Sequence, residues 1–496
     1  MLNEVFEYPF TRLDPVAGDH LDPPSVAVYE TLLTKGPDGL PRPGLATAWE
    51  VDESATQWRL RLRPGASFHS GDRCDAPTVV RALEQCRWGD GFARQIWYWD
   101  PVSHVSSEGD DVVVVTLEYP CPRLPVLLWG GHTAIANPEA RRRDPAAFGL
   151  EVFDGTGPYR VARFSETEVV GELSETWSGA FARRLPPTIR WGAAATEVER
   201  QVALEDAEVD IVRAVDRAWI EQLDPDAWRF LEQPEPSQFY LALNFGDPRG
   251  FGGLHFRRAV EALLDREEIV ASALGGHGHA RRSPLPFVDE FASSYDDAAG
   301  PALTVDAAER LLDELGYARN DRGIRTYDGR ELVIDCVVQD VEVSRRIASA
   351  VAAQLGRAGI VLAPRFVSVF GDFYRACEEA PPAFISKWLW GDGMEAIMGF
   401  SRSDCAADSG GNWQRATSSR LDVAYDRFLQ ATSSDELRVT SAAAQAIFVE
   451  ELPYIPLCSP YETYAVRTRV GGYAPVPRTL YPAYDEVTRA DDGVRR

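Results

Sequence analysis

The stretch Pro43-Gly-Leu-Ala-Thr-Ala-Trp-Glu-Val51, followed by Trp58-Arg-Leu-Arg-Leu-Arg-Pro-Gly-Ala-Ser-Phe-His-Ser-Gly-Asp72, decides how the rest of this chain is interpreted. Apolar and charged residues alternate from Trp58 to Leu62, and this period of two predicts a half-buried strand. A turn is predicted directly after it, at Pro64-Gly65. Asp75–Trp88 then has the pattern of a helix whose N-cap is Asp75. These residues therefore predict a strand, a turn and a helix in succession.

Strand and helix patterns also alternate further along the chain. Strands are predicted over Phe239–Phe245, Leu332–Val338 and Ile360–Phe366, and helices over Phe256–Leu274, Ala307–Leu315 and Val343–Ala358. Helices that alternate with strands are typical of α/β proteins, in which crossover helices cover the sheet. The sequence thus predicts an α/β fold.

The composition bounds the class of protein. The 496 residues, of which 45% are hydrophobic, suggest about three structural units. The net charge of −25 repels phosphate backbones and anionic lipid headgroups, so we expect no nucleic-acid partner. No run of about 18 uncharged apolar residues occurs, so we expect no insertion into a membrane. We also expect a monomer.

Seven scattered cysteines and the first residues of the chain indicate its compartment. No Cys-x-x-Cys pattern occurs, which favours reduced, buried thiols over a disulfide framework or a zinc site. The opening residues, Met-Leu-Asn-Glu-Val-Phe-Glu-Tyr, have neither the basic region nor the apolar region of a signal peptide. The sequence as it stands predicts a cytoplasmic location, and a cell-surface or secreted one if a signal peptide was removed from it.

Four later segments complete a pattern that begins with the opening stretch. They are Gly155-Thr-Gly-Pro-Tyr159, the region from Leu243-Asn244 through Arg257-Arg258 to Ile269, Ala308–Tyr317, and Leu452-Pro-Tyr-Ile-Pro-Leu457. In this order the segments resemble family 5 of the extracellular solute-binding proteins. These proteins are the dipeptide, oligopeptide and nickel-complex receptors of ABC importers. The resemblance extends over nearly the whole chain.

The resemblance implies a bilobed α/β fold of the periplasmic-binding-protein type II class. Domains I and II would form the first lobe, and a hinge of two chain crossings, near residues 245 and 460, would join it to the second. Domain I would consist of residues 1–39, 158–245 and 461–496, domain II of residues 40–157, and domain III, the second lobe, of residues 246–460. A small ligand would bind in the cleft between the lobes.

The segment Phe384-Ile-Ser-Lys-Trp-Leu-Trp-Gly-Asp-Gly-Met-Glu395 resembles the part of the family's peptide receptors that supplies a ligand-binding aspartate. Asp392 matches that aspartate, which pairs with the α-ammonium group of the peptide. A carboxylate in a closed cleft can form charge-assisted hydrogen bonds with a primary ammonium group. Neighbouring rings, here Trp388 and Trp390, add cation–π attraction or belong to the protein core. The residues after Asp392 depart from the family's pattern.

Lys387 is one of only two lysines among 51 basic residues. Its ammonium group could bind a ligand carboxylate, act as a catalytic amine, or face solvent as an ordinary strand residue. The resemblance places further aromatic and amide side chains in the cleft. The candidates are Tyr240, Trp413, Tyr461, Asn244 and Asn412.

His277 and His279 invite a metal interpretation, but no third ligand is identifiable in the sequence. We therefore predict no metal and no cofactor.

Two functions remain open at this point. The first is a solute-binding protein that captures a peptide or an amine-bearing small molecule for ABC-type import, with the ligand and an ABC permease as its partners. The second is a cytoplasmic enzyme or sensor that is derived from the same fold and acts on a small amino compound. The absence of a signal-peptide pattern, the altered segment after Asp392 and the lone Lys387 motivate the second.

Overall fold

The computed structural model describes residues 1–17, 23–36, 40–88, 99, 101–179, 185–286, 303–368, 370–389, 393–406, 411–474, 484 and 487–489. The chain divides into two compact units. Unit 1 comprises Met1–Gln233 and Glu462–Arg496, and unit 2 comprises Pro234–Tyr461. The sequence placed the chain crossings near residues 245 and 460, and the finer division into three domains stays a prediction.

The described residues of unit 1 form two larger sheets. The strands of the first sheet are, in spatial order, Tyr159–Ser165, Glu168–Leu173, Thr188–Ala193, Leu2–Phe6, Ile211–Arg213 and the last part of Ile455–Arg467. The second sheet is antiparallel and has the order Ala46–Val51, Gln57–Leu62, Val112–Leu117 and Val102–Glu108. Short pairs complete the strands: Leu33–Lys35 with Pro41–Pro43, and Val470–Gly471 with Thr488–Arg489. The strand Trp228–Pro234 reaches the boundary between unit 1 and unit 2.

The described helices of unit 1 are Pro23–Val28, Ala76–Trp88, Leu124–Trp129, Pro138–Arg143, Glu197–Glu205 and Arg217–Ile220. Ala76–Trp88, which forms where the sequence predicts a helix, lies against the second sheet. The carboxylate of Asp75 accepts hydrogen bonds from the backbone N–H and the hydroxyl of Thr78, at 3.1 and 2.7 Å. The predicted N-cap is therefore confirmed.

The segments that carry the family resemblance are called the signature segments below. Those of unit 1 are held together by close backbone contacts. A Cβ atom on Gly44 would lie 2.5 Å from the carbonyl oxygen of Thr31, so no larger residue fits there without a shift. The backbone N–H and the Nε2 of His69 lie 2.9 and 2.8 Å from the carbonyl oxygens of Gly155 and Gly157. Two segments that carry the resemblance thus meet in one place, and His69 joins them.

Unit 2 is built around one mixed sheet. Its strands have the order Val361–Val367, Val333–Gln339, Ala383–Leu389, Ser237–Leu243 and the first part of Ile455–Arg467, which also pairs with Gly278–Ala280. The hairpin Thr326–Tyr327 and Arg330–Glu331 is separate. The described helices are Leu254–Ala262, Arg266–Ala273, Val305–Glu314, Glu342–Arg357, Phe370–Glu378, Gly393–Ser401, Ser419–Leu429 and Ser434–Glu451. One hydrophobic core lies between the sheet and several of these helices.

Two buried arginines join the later signature segments. Arg257 donates from Nε to the carbonyl oxygen of Leu452 at 2.9 Å and from a terminal nitrogen to that of Glu451 at 2.7 Å. Arg266 donates to the carbonyl oxygen of Pro456 at 2.8 Å. A cation at a helix C-terminus satisfies carbonyl groups that the helix leaves unbonded, here those of Ser434–Glu451.

The predicted single helix Phe256–Leu274 is wrong, because the chain forms two helices, Leu254–Ala262 and Arg266–Ala273. The buried side chain of Gln354 accepts a hydrogen bond from the backbone N–H of Asp265 and donates one to its carbonyl oxygen, both at 2.9 Å. At the break, these bonds replace the backbone hydrogen bonds that Asp265 would form in a continuous helix. The second helix then starts afresh, with the carboxylate of Asp265 accepting the N–H of Glu268 at 3.0 Å.

Replacing Asp265 with alanine is expected to lower the free energy of unfolding by about 1 kcal/mol, because the N-cap bond is lost. Asp265→Asn retains a cap acceptor and should cost much less. Urea denaturation of both variants measures the difference. Equal stabilities for the alanine variant and the wild type would contradict the role of this cap.

Candidate functional site

The strand Ala383–Leu389 leads directly into the segment that the resemblance identifies as ligand-binding. It lies between Ser237–Leu243, to which it is antiparallel, and Val333–Gln339, to which it is parallel. Residues 383–385 are therefore paired on both sides, and the rest of the strand pairs with Ser237–Leu243. Trp388 pairs with Gln238 in this ladder, and Lys387 pairs with Phe239. Trp390 and Asp392, which follow the strand, lie outside the described residues, so their ligand contacts stay predictions.

Lys387 forms an ion pair inside unit 2. Its Nζ lies 2.7 Å from Oε1 of Glu235, and the side chains of Lys387 and Glu235 are 27% and 9% exposed. The ammonium group also lies 5.8 Å from the ring centroid of Phe239. Sequence reasoning missed Glu235, which precedes Lys387 by 152 positions. No local pattern marks it, because only the pairing of two strands brings it near.

Tyr240 and Trp413 belong to one buried aromatic cluster. The ring centroid of Tyr240 lies 5.9 Å from that of Phe384 and 6.0 Å from that of Phe400. The ring centroid of Trp413 lies 5.9 and 6.2 Å from the same two centroids. Tyr240 is 0% exposed, and burial raises the pKa of its hydroxyl. These contacts are those of core residues. A role as cleft walls stays a prediction for both.

The two predicted amide side chains have internal partners. Asn412 is fully buried and donates to the carbonyl oxygens of Arg402 and Ala416, at 2.7 and 2.8 Å. Asn244 donates to the carbonyl oxygen of Ala380 at 2.6 Å and accepts from the N–H of Gly246 at 2.8 Å. Both therefore hold loops in place, and ligand binding by them stays a prediction.

Tyr461, the last residue of unit 2, is bound to the segment that contains the two histidines. Its hydroxyl lies 2.9 Å from Nε2 of His279, and its backbone N–H donates to the carbonyl oxygen of His277. Burial, together with the charge of Arg281, lowers the pKa of His279. Among the residues that the structure describes, no group of three or more His, Cys, Asp or Glu side chains could hold a metal ion.

We therefore expect that EDTA leaves the melting temperature of the purified protein unchanged. The two histidines contact Tyr461 and the neighbouring backbone, and no third metal-ligating side chain joins them in the described ranges. Differential scanning calorimetry with and without the chelator tests this expectation. A fall of several degrees that is reversed by a divalent cation would show that metal stabilises the fold.

The thiols lack the surroundings of a nucleophile. All seven cysteines are buried and none forms a disulfide. Burial raises the pKa of Cys86 and of Cys458 to about 12, so both remain thiols at neutral pH. The predicted reduced, buried state of the cysteines agrees with this arrangement.

Comparisons with known proteins agree with the signature segments. Residues 41–406 match the model for bacterial extracellular solute-binding proteins, family 5 middle. A glutathione-binding protein, GsiB of Pectobacterium atrosepticum, is 24% identical over 320 residues, which cover 62% of this chain and 60% of that protein. The chain thus spans less than two thirds of this relative.

The fold agrees with solved structures at low sequence identity. The oligopeptide-binding protein AppA of Bacillus subtilis, in complex with a nonapeptide, superposes with a TM-score of 0.86 at 17% identity, over 98% of both chains. NikZ of Campylobacter jejuni, in complex with Ni(L-His), superposes with a TM-score of 0.84 at 17% identity, over 98% of this chain and 99% of NikZ. The predicted type II periplasmic-binding-protein fold is confirmed. The chain belongs to family 5 of the bacterial extracellular solute-binding proteins.

Proposed function

We propose that this protein binds a peptide, or another small molecule with a primary ammonium group, and delivers it to an ABC permease. The match to family 5 over residues 41–406 carries this proposal. The printed names of similar proteins include a glutathione-binding protein and a receptor in complex with a nonapeptide. Both of those ligands contain peptide bonds and a free amino group. Within the described ranges, no helix has the length and apolar character needed to cross a membrane.

Asp392 is proposed to receive the ammonium group of the ligand. The strand that precedes it, Ala383–Leu389, pairs along its whole length with Ser237–Leu243. A strand fixed in this way can position the residues that follow it with little freedom, which lowers the entropic cost of binding. The family is typically extracytoplasmic, and we propose that location for this protein.

The contacts of the reactive side chains favour binding over catalysis. Lys387 was one of the features that motivated the enzyme hypothesis, and its ammonium group lies 2.7 Å from the carboxylate of Glu235. Burial raises the pKa of the Cys458 thiol to about 12, which makes this thiol a poor nucleophile. These observations support the solute-binding hypothesis.

Thermal unfolding with a small ligand set tests the proposal. The probes are the tripeptides Ala-Ala-Ala and Ala-Lys-Ala, with N-acetylated Ala-Ala-Ala and a nickel–histidine complex as comparisons. A ligand present at about 100 times its Kd adds about 2.7 kcal/mol to the free energy of unfolding. We expect a free tripeptide to raise the melting temperature and the acetylated one to raise it far less. No rise with either free tripeptide at millimolar concentration would contradict peptide binding.

A further inference from the structure

The carboxyl ends of three parallel strands meet at one edge of the first sheet of unit 1. Leu2–Phe6 is parallel to Thr188–Ala193 on one side and to Ile211–Arg213 on the other. In open α/β sheets, small ligands bind outside the carboxyl ends of the strands. Polar side chains at this edge of unit 1 are therefore candidates for contact with a ligand.

Arg213, the last residue of its strand, is a buried cation with an unused donor. Its side chain is 8% exposed, and its Cζ atom lies 4.8 and 5.4 Å from the ring centroids of Phe6 and Tyr464. One terminal nitrogen, Nη2, lies 3.3 Å from Oε1 of Glu462. The other, Nη1, is buried and has no hydrogen-bond partner among the described residues. Such an atom indicates a partner from outside the chain, either water or a ligand.

Glu7 contributes an unused acceptor to the same cluster. It follows Phe6 directly in the chain, and its carboxylate interacts electrostatically with Arg213. Its Oε2 atom is buried and, within the described ranges, has no hydrogen-bond partner. The edge of the sheet thus has one unbonded donor on a cation and one unbonded acceptor on an anion.

The other two carboxylates near Arg213 have internal partners. Oε2 of Glu462 accepts hydrogen bonds from the hydroxyl of Tyr464 at 2.6 Å and from the side-chain amide of Gln233 at 2.8 Å. Glu4 is fully buried, and its two oxygens accept tyrosine hydroxyls at 2.9 and 2.5 Å. These bonds hold the cluster in place and leave the unused atoms to Arg213 and Glu7.

The charges of the cluster favour a neutral ligand group that both accepts and donates. A ligand carboxylate would meet the charges of Glu7 and Glu462, and a ligand ammonium group would meet that of Arg213. An extended peptide residue presents its N–H and C=O on the same side, as in the hydrogen-bonded pairs of an antiparallel ladder. It can therefore bind the donor and the acceptor without adding charge to a buried site.

We propose that Arg213 and Glu7 bind the main chain of the peptide, with Nη1 donating to a carbonyl oxygen and Oε2 accepting the N–H of the same residue. This inference rests on the proposed function and deepens it, because it names contacts of the ligand within unit 1. The two residues then distinguish a peptide from an amine that has no amide group. In a tripeptide, the central residue is the one that has both an amide N–H and an amide carbonyl.

An ester analogue of Ala-Ala-Ala tests the contact to the N–H. L-lactate in the central position puts an ester oxygen in place of the central N–H, and L-lactate in the third position is the control ester. Calorimetric titration gives the affinity of each. For the wild type we expect the central ester to bind at least about tenfold more weakly than Ala-Ala-Ala, because a hydrogen bond to a charged group is lost.

Variants at Glu7 complete the cycle. Glu7→Ala should weaken the binding of Ala-Ala-Ala at least about tenfold and should bind the central ester with nearly the same affinity as the peptide. The control ester should lower the affinity of the wild type and of Glu7→Ala by the same factor. Glu7→Gln, whose amide oxygen still accepts, should restore part of the loss. Glu53→Ala is the matched control, because Glu53 is an exposed glutamate of the same unit.

The contact to the carbonyl oxygen has its own variant. Arg213→Lys keeps a positive charge near Glu462 but has no Nη1, so it should weaken the binding of Ala-Ala-Ala about tenfold. Because Glu7 is intact in this variant, the central ester should still bind more weakly than the peptide. Urea denaturation of the ligand-free variants shows whether each retains the fold. If Arg213→Lys does not, the cycle at Glu7 decides, with Glu7→Leu in place of Glu7→Ala should the alanine variant unfold.

The outcomes separate this inference from the proposed function. If Ala-Ala-Ala binds to the wild type, and the central ester lowers the affinity of the wild type and of Glu7→Ala by the same factor, the proposed contact is overturned and peptide binding stands. Wild-type affinity in both Glu7→Ala and Arg213→Lys would likewise overturn it and assign the two unbonded atoms to water. If neither the peptide nor an ester binds to the wild type, peptide binding is overturned and this inference with it.

Discussion

Replacing Asp392 with alanine is expected to weaken the binding of Ala-Lys-Ala at least about 30-fold. The proposed contact joins the carboxylate of Asp392 to the α-ammonium group of the peptide. Loss of one partner from a desolvated, hydrogen-bonded charge pair typically costs roughly 2 to 5 kcal/mol, and each 1.4 kcal/mol corresponds to about tenfold in Kd. Isothermal titration calorimetry measures the change. The melting temperature without ligand should stay close to that of the wild type.

Acetylation of the peptide's α-amino group supplies the second half of a double-mutant cycle. If Asp392 binds this amino group, acetylation should weaken binding to the wild type by a similar factor and should have little further effect on Asp392→Ala. Asp435→Ala is the matched control, since it also removes one carboxylate from unit 2, where the side chain of Asp435 is 95% exposed. Additive effects of the two changes would show that Asp392 contacts another part of the ligand or none of it.

The features that sequence reasoning identified correctly are local ones. The alternation from Trp58 to Leu62 and the N-cap at Asp75 depend on neighbours in the sequence, and the structure has both the strand and the cap. The order of the signature segments also sufficed to identify the family and its fold. Local periodicity and ordered motifs are therefore reliable wherever a residue's role is decided by residues close to it in the chain.

The features that sequence reasoning missed depend on distant partners. The predicted helix Phe256–Leu274 is broken at Asp265 because Gln354, 89 positions away, binds its backbone. Lys387 has a charged partner 152 positions away, in Glu235. Such contacts arise only when strands and helices that are far apart in the chain come together. A single sequence contains no periodicity that reports them, so the individual residues of the site are the hardest to predict.

Replacing Arg63 with alanine is expected to lower the free energy of unfolding by roughly 3 to 5 kcal/mol, the usual cost of removing one partner from a buried ion pair. The two terminal nitrogens of Arg63 lie 2.9 and 2.8 Å from the two carboxylate oxygens of Glu30. The side chains are only 12% and 11% exposed, so the carboxylate that remains cannot regain full hydration. The backbone N–H of Arg63 also donates to the carbonyl oxygen of Leu45, so Arg63 joins two parts of the opening stretch of unit 1.

Arg61, two residues earlier in the chain, provides the control for this prediction. It pairs with Asp111, and their side chains are 61% and 59% exposed, so Arg61→Ala should cost about 1 kcal/mol or less. Urea denaturation of both variants compares the same chemical change at two degrees of burial. The variant Glu30→Leu with Arg63→Met should recover much of the stability that Arg63→Ala loses, because no unpaired charge is left behind. Equal costs at Arg61 and Arg63 would show that burial does not decide the contribution of this pair. An unrecovered double variant would assign the loss to the shape and hydrogen bonds of the guanidinium group.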